Sequence, residues 1–112
     1  HIMVYNTHLA LTQEERISQV EEILKIMAKS QGPKIFLGDF NATPNSKEVQ
    51  KVYVNYMDTL EGKDDEFTYP ASKPVERIDY IFISKEIENQ GTQTIPTLAS
   101  DHLPIVSSLS VS

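Results

Sequence analysis

A short apolar run that ends in a polar cluster constrains the fold of this chain more than any other feature. The run Ile35-Phe36-Leu37 comes directly before the tetrapeptide Gly38-Asp39-Phe40-Asn41. Successive apolar residues over so few positions are typical of a strand that is covered on both faces, as in α/β proteins. Ligand sites in open α/β sheets lie at the carboxyl ends of such strands. The sequence therefore predicts a site at the end of this strand.

The spacing of apolar residues predicts the elements around this strand. We expect strands over 2–9, 34–40, 77–84 and 103–111, helices over 13–30 and 47–54, and loops over 58–76 and 85–99, with short extended stretches near 67–69 and 92–95. Thr12 and Glu15 have the spacing of a capping box for the first helix, and Ser46 is placed to cap the second. The order β-α-β-α-loop-β-β predicts an α/β fold with a mixed sheet.

Composition and charge exclude several classes of protein. The 112 residues allow at most one compact domain, and 39% hydrophobic and 23% charged residues are typical of a soluble globular chain. A formal net charge of −6 disfavours a long polyanion as the main partner. The absence of cysteine excludes disulfides, zinc–thiolate sites and thiol nucleophiles. We find no apolar stretch long enough to span a membrane and no signal-peptide pattern, and the sequence predicts no compartment.

The polar residues at the end of the predicted strand have both a structural and a functional interpretation. In the structural interpretation, Asp39 forms a turn or caps the next segment, and Asn41 forms a turn. Asn41-Ala42-Thr43 also matches a glycosylation sequon. Carboxylate and carboxamide oxygens two residues apart are also ligands that suit a hard cation such as Mg²⁺. We favour the functional interpretation because three further polar insertions interrupt apolar segments.

Those insertions are His8, Asp79 and the pair Asp101-His102. Asp79 lies between apolar strand residues, where an unpaired carboxylate is costly, so we expect it to pair with His102. The alternative is a structural ion pair with Arg77, although adjacent strand residues point to opposite faces. For Asp101-His102 the alternative is a polar turn, and for His8 it is a hydrogen-bonded core histidine. Asp101 is then free to face a metal ion.

Four motifs together resemble the endonuclease/exonuclease/phosphatase superfamily. They occur in the family's order along the whole chain: Asn6-Thr7-His8-Leu9, Gly38-Asp39-Phe40-Asn41, Arg77-Ile78-Asp79-Tyr80-Ile81-Phe82 and Ser100-Asp101-His102-Leu103-Pro104. The resemblance implies a Mg²⁺- or Mn²⁺-dependent phosphoesterase of deoxyribonuclease I-like fold. It also implies that this chain, residues 1–112, is the C-terminal half of a four-layer α/β sandwich, with a mixed, mostly antiparallel sheet covered by helices on one face.

The same resemblance implies a role for each candidate residue. Asp39 orients or deprotonates the attacking water, and Asn41 beside it holds water or phosphate. His8 contacts the scissile phosphate, and His102, held by Asp79, stabilises the transition state. The implied catalytic set is His8, Asp39, Asn41, Asp79 and His102, and the implied metal ligands are Asp39, Asn41 and Asp101.

The chain departs from the family pattern at its start. The family's N-terminal half brings a metal-binding Glu and a further Asn that have no matching position here, and Ala10 stands where many bacterial relatives have Asp. The chain opens inside a predicted strand, as a fragment would, although His1 has the alternative origin of a cloning vector. Two functions stay open: a metal-dependent phosphoesterase acting on a small phosphoester, lipid headgroup or nucleic acid, and an inactive half-domain. In either case we expect the missing half, or a second copy, to cover the open sheet.

Overall fold

A computed structural model describes residues 1–63 and 65–111. The elements follow one another as six strands and two helices in this part of the chain: β1 (Met3–His8), α1 (Gln13–Ala28), β2 (Lys34–Asp39), α2 (Lys47–Tyr53), β3 (Met57–Asp58), β4 (Asp79–Ile83), β5 (Ile87–Thr94) and β6 (Ile105–Val111). No helix among the described residues combines the length and the apolar character that a membrane span requires.

The strands form a mixed sheet and a separate strand pair. The four-stranded sheet has the order β1-β2-β4-β3, in which β1 runs parallel to β2 and the other neighbours are antiparallel. Strands β5 and β6 pair with each other in antiparallel orientation. The predicted α/β class with a mixed, mostly antiparallel sheet is confirmed.

Strand β5 corrects the predicted loop over residues 85–99. We expected at most a short extended stretch near 92–95, whereas the strand spans Ile87–Thr94 and pairs along its length with β6. Its sequence is largely polar, and the inward residues Ile87 and Thr92 are its buried members. A strand that buries one face in a two-stranded pair needs few apolar residues, so hydrophobic spacing gave no signal. Strand β3, only two residues long, was not predicted; it lies at the start of the loop expected over 58–76.

The helices cover one face of the four-stranded sheet. On that face, an aromatic cluster of Phe36, Phe40, Tyr80 and Phe82 packs with ring centroids 4.9–6.4 Å apart. The helices contribute buried residues to the same core: Val20 and Met27 from α1, and Val49 and Val52 from α2. Aromatic packing of this kind is a principal source of core stability.

The predicted helix caps are partly confirmed. Ser46 accepts a hydrogen bond from the backbone N–H of Val49 (3.3 Å) and caps α2 as expected. Thr12 is the N-cap residue of α1, but its hydroxyl donates to the Glu15 carboxylate (2.8 Å) and caps no backbone N–H. The capping box predicted there is therefore wrong in its hydrogen bonding.

Two ion pairs lie inside the structure on the helical side. Arg77 forms a bidentate pair with Asp58 (3.1 and 2.5 Å), and the Tyr53 hydroxyl donates to the same carboxylate (2.7 Å). Glu48 is fully buried and pairs with Arg16 (2.7 Å), which joins α2 to α1. Since Arg77 is engaged by Asp58, the structural alternative for Asp79 is wrong.

The other face of the sheet is apolar and open next to β1. Side chains alternate along strands, so Val4, Leu37 and Ile81 share the face opposite to the helices. The Val4 side chain is 57% exposed. This open face also carries the predicted site residues, which places the site on the side that the helices leave uncovered.

Gly38 lets β1 approach β2 at the end of the sheet. Its φ is +140°, and a Cβ placed there would lie 1.8 Å from the Thr7 carbonyl oxygen. We therefore expect Gly38→Ala to lower the free energy of unfolding by at least about 3 kcal/mol, since neither the strain nor the overlap with main-chain atoms can relax easily.

Chemical denaturation measures this effect, and Gly91→Ala is its matched control. Gly91 has a similar φ of +153°, but a Cβ there meets no atom within 4 Å. The difference in the free energy of unfolding between the two variants measures the effect of the close approach between Gly38 and Thr7. Equal losses of stability would show that the contact with Thr7 does not matter.

Candidate active site

Three predicted residues lie in one row across the sheet. His8 ends β1, Asp39 ends β2 and Asp79 begins β4, and the strand pairing sets His8 opposite Asp39 and Asp39 opposite Asp79. Residues directly opposite on neighbouring strands point to the same face. The alternation of the strands thus brings two carboxylates and an imidazole together on the open face.

His102 joins this row from the loop before β6. Its Nδ1 lies 2.7 Å from Asp79 Oδ2, and its Nε2 lies 3.5 Å from Asp39 Oδ2. His8 Nε2 lies at the same distance, 3.5 Å, from that Asp39 oxygen. The Asp79–His102 pairing expected from the sequence is present. Because an ionised carboxylate only accepts, Nδ1 carries the proton that binds Asp79.

The carboxylates set the charge of His102. Burial alone would lower the pKa of His102, but the hydrogen bond to Asp79 and the charges of Asp79, Asp39 and Asp101 raise it above its ordinary value. The pKa of Asp79 is also raised: burial outweighs the hydrogen bonds from His102 and Thr68. The raised pKa of His102 favours an imidazolium that can donate to an anionic ligand from Nε2.

Asn41 is fixed by hydrogen bonds to the two neighbouring strands. Its φ is +49°, a conformation that Asn tolerates better than most residues. The backbone N–H donates to Asp39 Oδ1 (2.9 Å), and the side-chain Nδ2 donates to the Leu9 carbonyl (2.7 Å). The turn interpretation of Asn41 therefore holds, and its side-chain oxygen is the atom left to accept from, or ligate, a bound group.

A cavity of about 360 Å³ adjoins the row. Its lining includes His8, Asn41, Tyr69, Asp101 and His102. A larger cavity of about 950 Å³ beside α2 shares Thr43 and Glu76 with it, but contains none of the predicted site residues within the described ranges. Of these two cavities, the one of 360 Å³ is lined by candidate site residues.

Two further residues of this site, Tyr69 and Thr68, were not predicted from the sequence. The Tyr69 ring packs against the His102 ring with centroids 4.8 Å apart, and the preceding residue, Thr68, is fully buried. The extended stretch expected near 67–69 is present only as a single bridge between Tyr69 and Glu76. No apolar periodicity or charge pattern singled out these residues, because their role depends on contacts with distant segments.

One group among the described residues has the donors for a metal ion. Asp39, Asp79 and His102 each offer an atom within 4.8 Å of the others. Two carboxylates suit Mg²⁺ or Mn²⁺, but His102 Nδ1 is already bound to Asp79. Asp101, an expected ligand, lies in the cavity outside this group. These donors fit a cation that binds beside Asp39 and takes its remaining ligands from groups outside this cluster.

The charge of Asp79 controls the pKa of His102. Asp79→Asn should lower this pKa, because the remaining effect of burial disfavours the imidazolium. The folded pKa of His102 is raised, so its stabilising effect is fully present below pH 6.5 and is lost as pH rises through the folded pKa. The substitution should weaken that pH dependence.

NMR titration of the His102 ring protons measures this shift. Glu88→Gln, at an exposed position on β5, is the control and should leave the His102 titration unchanged. An unaltered His102 pKa in the Asp79→Asn variant would contradict the assigned pairing.

Comparison with known proteins identifies the fold and the family of this chain. Structures that share the fold include a functionally unknown conserved protein from Enterococcus faecalis (24% identity, TM-score 0.85, covering 97% of this chain and 50% of that one). A mannosyl-6-phosphatase from Bacteroides thetaiotaomicron is 19% identical, with a TM-score of 0.78 and coverage of 96% and 50%. D. rerio TDP2, complexed with a single-strand DNA product, is 20% identical, with a TM-score of 0.77 and coverage of 96% and 56%.

At these identities the likeness shows the fold alone. The chain spans about half the length of the solved structures that it matches. None of the curated proteins matches it in sequence. The sequence model of the Endonuclease/Exonuclease/phosphatase family matches residues 3–102, nearly the whole chain. The chain therefore belongs to the Endonuclease/Exonuclease/phosphatase family.

Proposed function

We propose that this chain carries most of the catalytic residues of a metal-dependent phosphoesterase. One observation supports the proposal above the others: the Asp39 carboxylate lies between two imidazole nitrogens, each 3.5 Å away, and one of those imidazoles is held by Asp79. A potential base flanked by two potential cationic donors suits the attack of water on an anionic phosphoester.

Each residue has a distinct part in the proposed reaction. Asp39 orients the attacking water and accepts its proton. His102, as the imidazolium favoured by Asp79, donates from Nε2 to a phosphate oxygen, and the exposed His8 contacts the same group from β1. Asn41 offers its side-chain oxygen to water or to a cation.

Asp39, Asn41 and Asp101 are the residues that we expect to hold Mg²⁺ or Mn²⁺. The bound ion supplies Lewis-acid stabilisation of the charge on the phosphate. Support comes from the clustering of carboxylates: Asp39 and Asp79 are direct cross-strand neighbours, and like charges in that position repel. A cation at this end of the sheet relieves the repulsion.

The substrate class is proposed from charge and from the likeness to other structures. A net charge of −6 favours a small phosphoester or a lipid headgroup over a long nucleic acid. One similar structure is a mannosyl-6-phosphatase, and another is bound to a single-strand DNA product. A phosphoester in the 360 Å³ cavity is the chemistry common to these possibilities.

Hydrolysis of aryl phosphoesters tests this function. We expect the full-length protein to hydrolyse an aryl phosphodiester or monoester with Mn²⁺ or Mg²⁺, and EDTA to abolish the reaction. Asp39→Ala should lower kcat by about 10²- to 10⁴-fold, because it removes the base. It should leave the melting temperature nearly unchanged, since it opens no core cavity.

The control for Asp39→Ala is Asp65→Ala, which removes an exposed carboxylate outside the site. It should retain full activity. Substantial activity in the Asp39→Ala variant, or turnover that is insensitive to EDTA, would contradict the assignment. The same assay on the present chain decides whether it is an inactive half-domain, the alternative function.

We propose also that another half-domain of the same protein covers the open sheet face. The chain spans half the length of solved structures that it superimposes on with TM-scores near 0.8, which leaves room for such a unit. The face is apolar at Val4, Leu37 and Ile81, and a cavity of about 340 Å³ lies between it and Ile105. Apolar surface of this kind favours a tightly packed partner.

A charged residue placed on the open face tests whether another half-domain or a second copy of this chain covers it. Val4→Asp should cost less than about 1 kcal/mol in the present chain, where Val4 is 57% exposed, but about 3 kcal/mol in the full-length protein, where the aspartate would be buried. Val54→Asp, at a 76% exposed position on the helical side, is the control and should be tolerated in both. Equal effects in both proteins would contradict the proposal, and a dimer of the present chain that Val4→Asp dissociates would identify a second copy as the occupant.

A further inference from the structure

Thr68 is a fully buried residue that contacts both segments carrying the Asp79–His102 pair. Its exposed fraction is 0%, and it lies in the connection between β3 and β4, outside the regular elements. A buried threonine in a loop is retained at a cost unless its polar atoms are bonded. The bonds that it makes therefore indicate what it does.

The backbone of Thr68 binds the segment that contains His102. The carbonyl oxygen of Thr68 accepts a hydrogen bond from the Leu103 N–H (2.8 Å), next to His102 in the chain. The Thr68 N–H donates to the Glu76 carbonyl (2.9 Å), which closes the turn before β4. These two bonds hold the segment that contains His102 against the turn before β4.

The side chain of Thr68 binds the segment that contains Asp79. Its Oγ1 accepts a hydrogen bond from the Ile78 N–H (3.1 Å), one residue before Asp79. This bond ties Thr68 to the start of β4, where Asp79 lies.

We propose that Thr68 is a positioning residue that fixes Asp79 and His102 relative to each other. His102 Nδ1 binds the Asp79 carboxylate. Thr68 binds the main chain beside both members of this pair, at Ile78 next to Asp79 and at Leu103 next to His102. Thr68 thereby aims His102 Nε2 towards Asp39. The catalytic role of the Asp79–His102 pair rests on the proposed phosphoesterase function, whereas the positioning of the pair by Thr68 does not.

Exchange of the His102 Nδ1 proton with water tests this role without any activity. The proton is observed by ¹H–¹⁵N NMR in metal-free protein and assigned with His102→Gln. Thr68→Val has nearly the same shape but no hydroxyl, and we expect it to accelerate exchange at least about tenfold. Thr68→Ser keeps the hydroxyl and should stay within about threefold of the unsubstituted protein.

Thr92→Val is the matched control. Thr92 is 5% exposed, and its Oγ1 bonds to Asn89 (2.9 Å) and Ser107 (2.8 Å), away from the site. It should leave the exchange unchanged. A folded Thr68→Val protein with unaltered exchange of the His102 proton would overturn the proposal.

A second measurement applies if Thr68→Val does not fold. In the unsubstituted protein the backbone amide protons of Ile78 and Leu103, which bind Thr68, should exchange slowly. Rapid exchange of either amide proton in the unsubstituted protein would overturn the proposal.

Measurements of phosphoesterase activity distinguish the proposed role of Thr68 from the proposed function of the site. In an active protein, Thr68→Val should lower kcat with little change in KM, Thr68→Ser should restore kcat, and the loss should vanish in an Asp79→Ala background. An unsubstituted protein without metal-dependent turnover refutes the proposed function alone, and the exchange measurements still decide the role of Thr68.

Discussion

Two carboxylates that face each other across neighbouring strands are the constraint on which the site depends. Asp39 and Asp79 are directly paired residues of β2 and β4, where like charges repel. The sheet retains them because His102 contacts both, at 2.7 Å from Asp79 and 3.5 Å from Asp39. The hydrogen bond to Asp79 and the negative charges of Asp79, Asp39 and Asp101 raise the pKa of His102 against the effect of burial, and so favour the cationic ring. In the proposed function, the bound cation would offset the same repulsion between the two carboxylates.

Ion pairs that hold the fold together lie on a different face of the sheet from the charged residues of the candidate site. On the helical side, Arg77–Asp58 and Arg16–Glu48 are closed pairs, in which each carboxylate has its cation and is shielded from water. On the open face, His102 is shared between Asp39 and Asp79, and His8, near Asp39, remains 75% exposed. Closed pairs hold elements together, whereas a shared, partly exposed arrangement is able to exchange protons and ligands.

Local patterns in the sequence predict the elements better than they predict the site's surroundings. Helix α1 and strand β2 follow from apolar spacing, since each buries a defined face. Strand β5 was missed because pairing with β6, rather than burial of apolar side chains, defines it. Asp79 and His102 could be matched because a carboxylate among apolar residues requires a partner. Thr68 could not be found, because its importance lies in bonds to Ile78 and Leu103, which are distant in sequence and carry no signal of their own.

The end of β1 has an evolutionary consequence. His8 reaches Asp39 because it stands an even number of residues from Val4 on a strand whose side chains alternate between faces. Deleting or inserting one residue within β1 would turn this histidine towards the helices, whereas a change of two residues would return it to the open face. We therefore expect related proteins to vary in the length of the turn after Leu9, and to differ in length between Val4 and His8 only by pairs of residues.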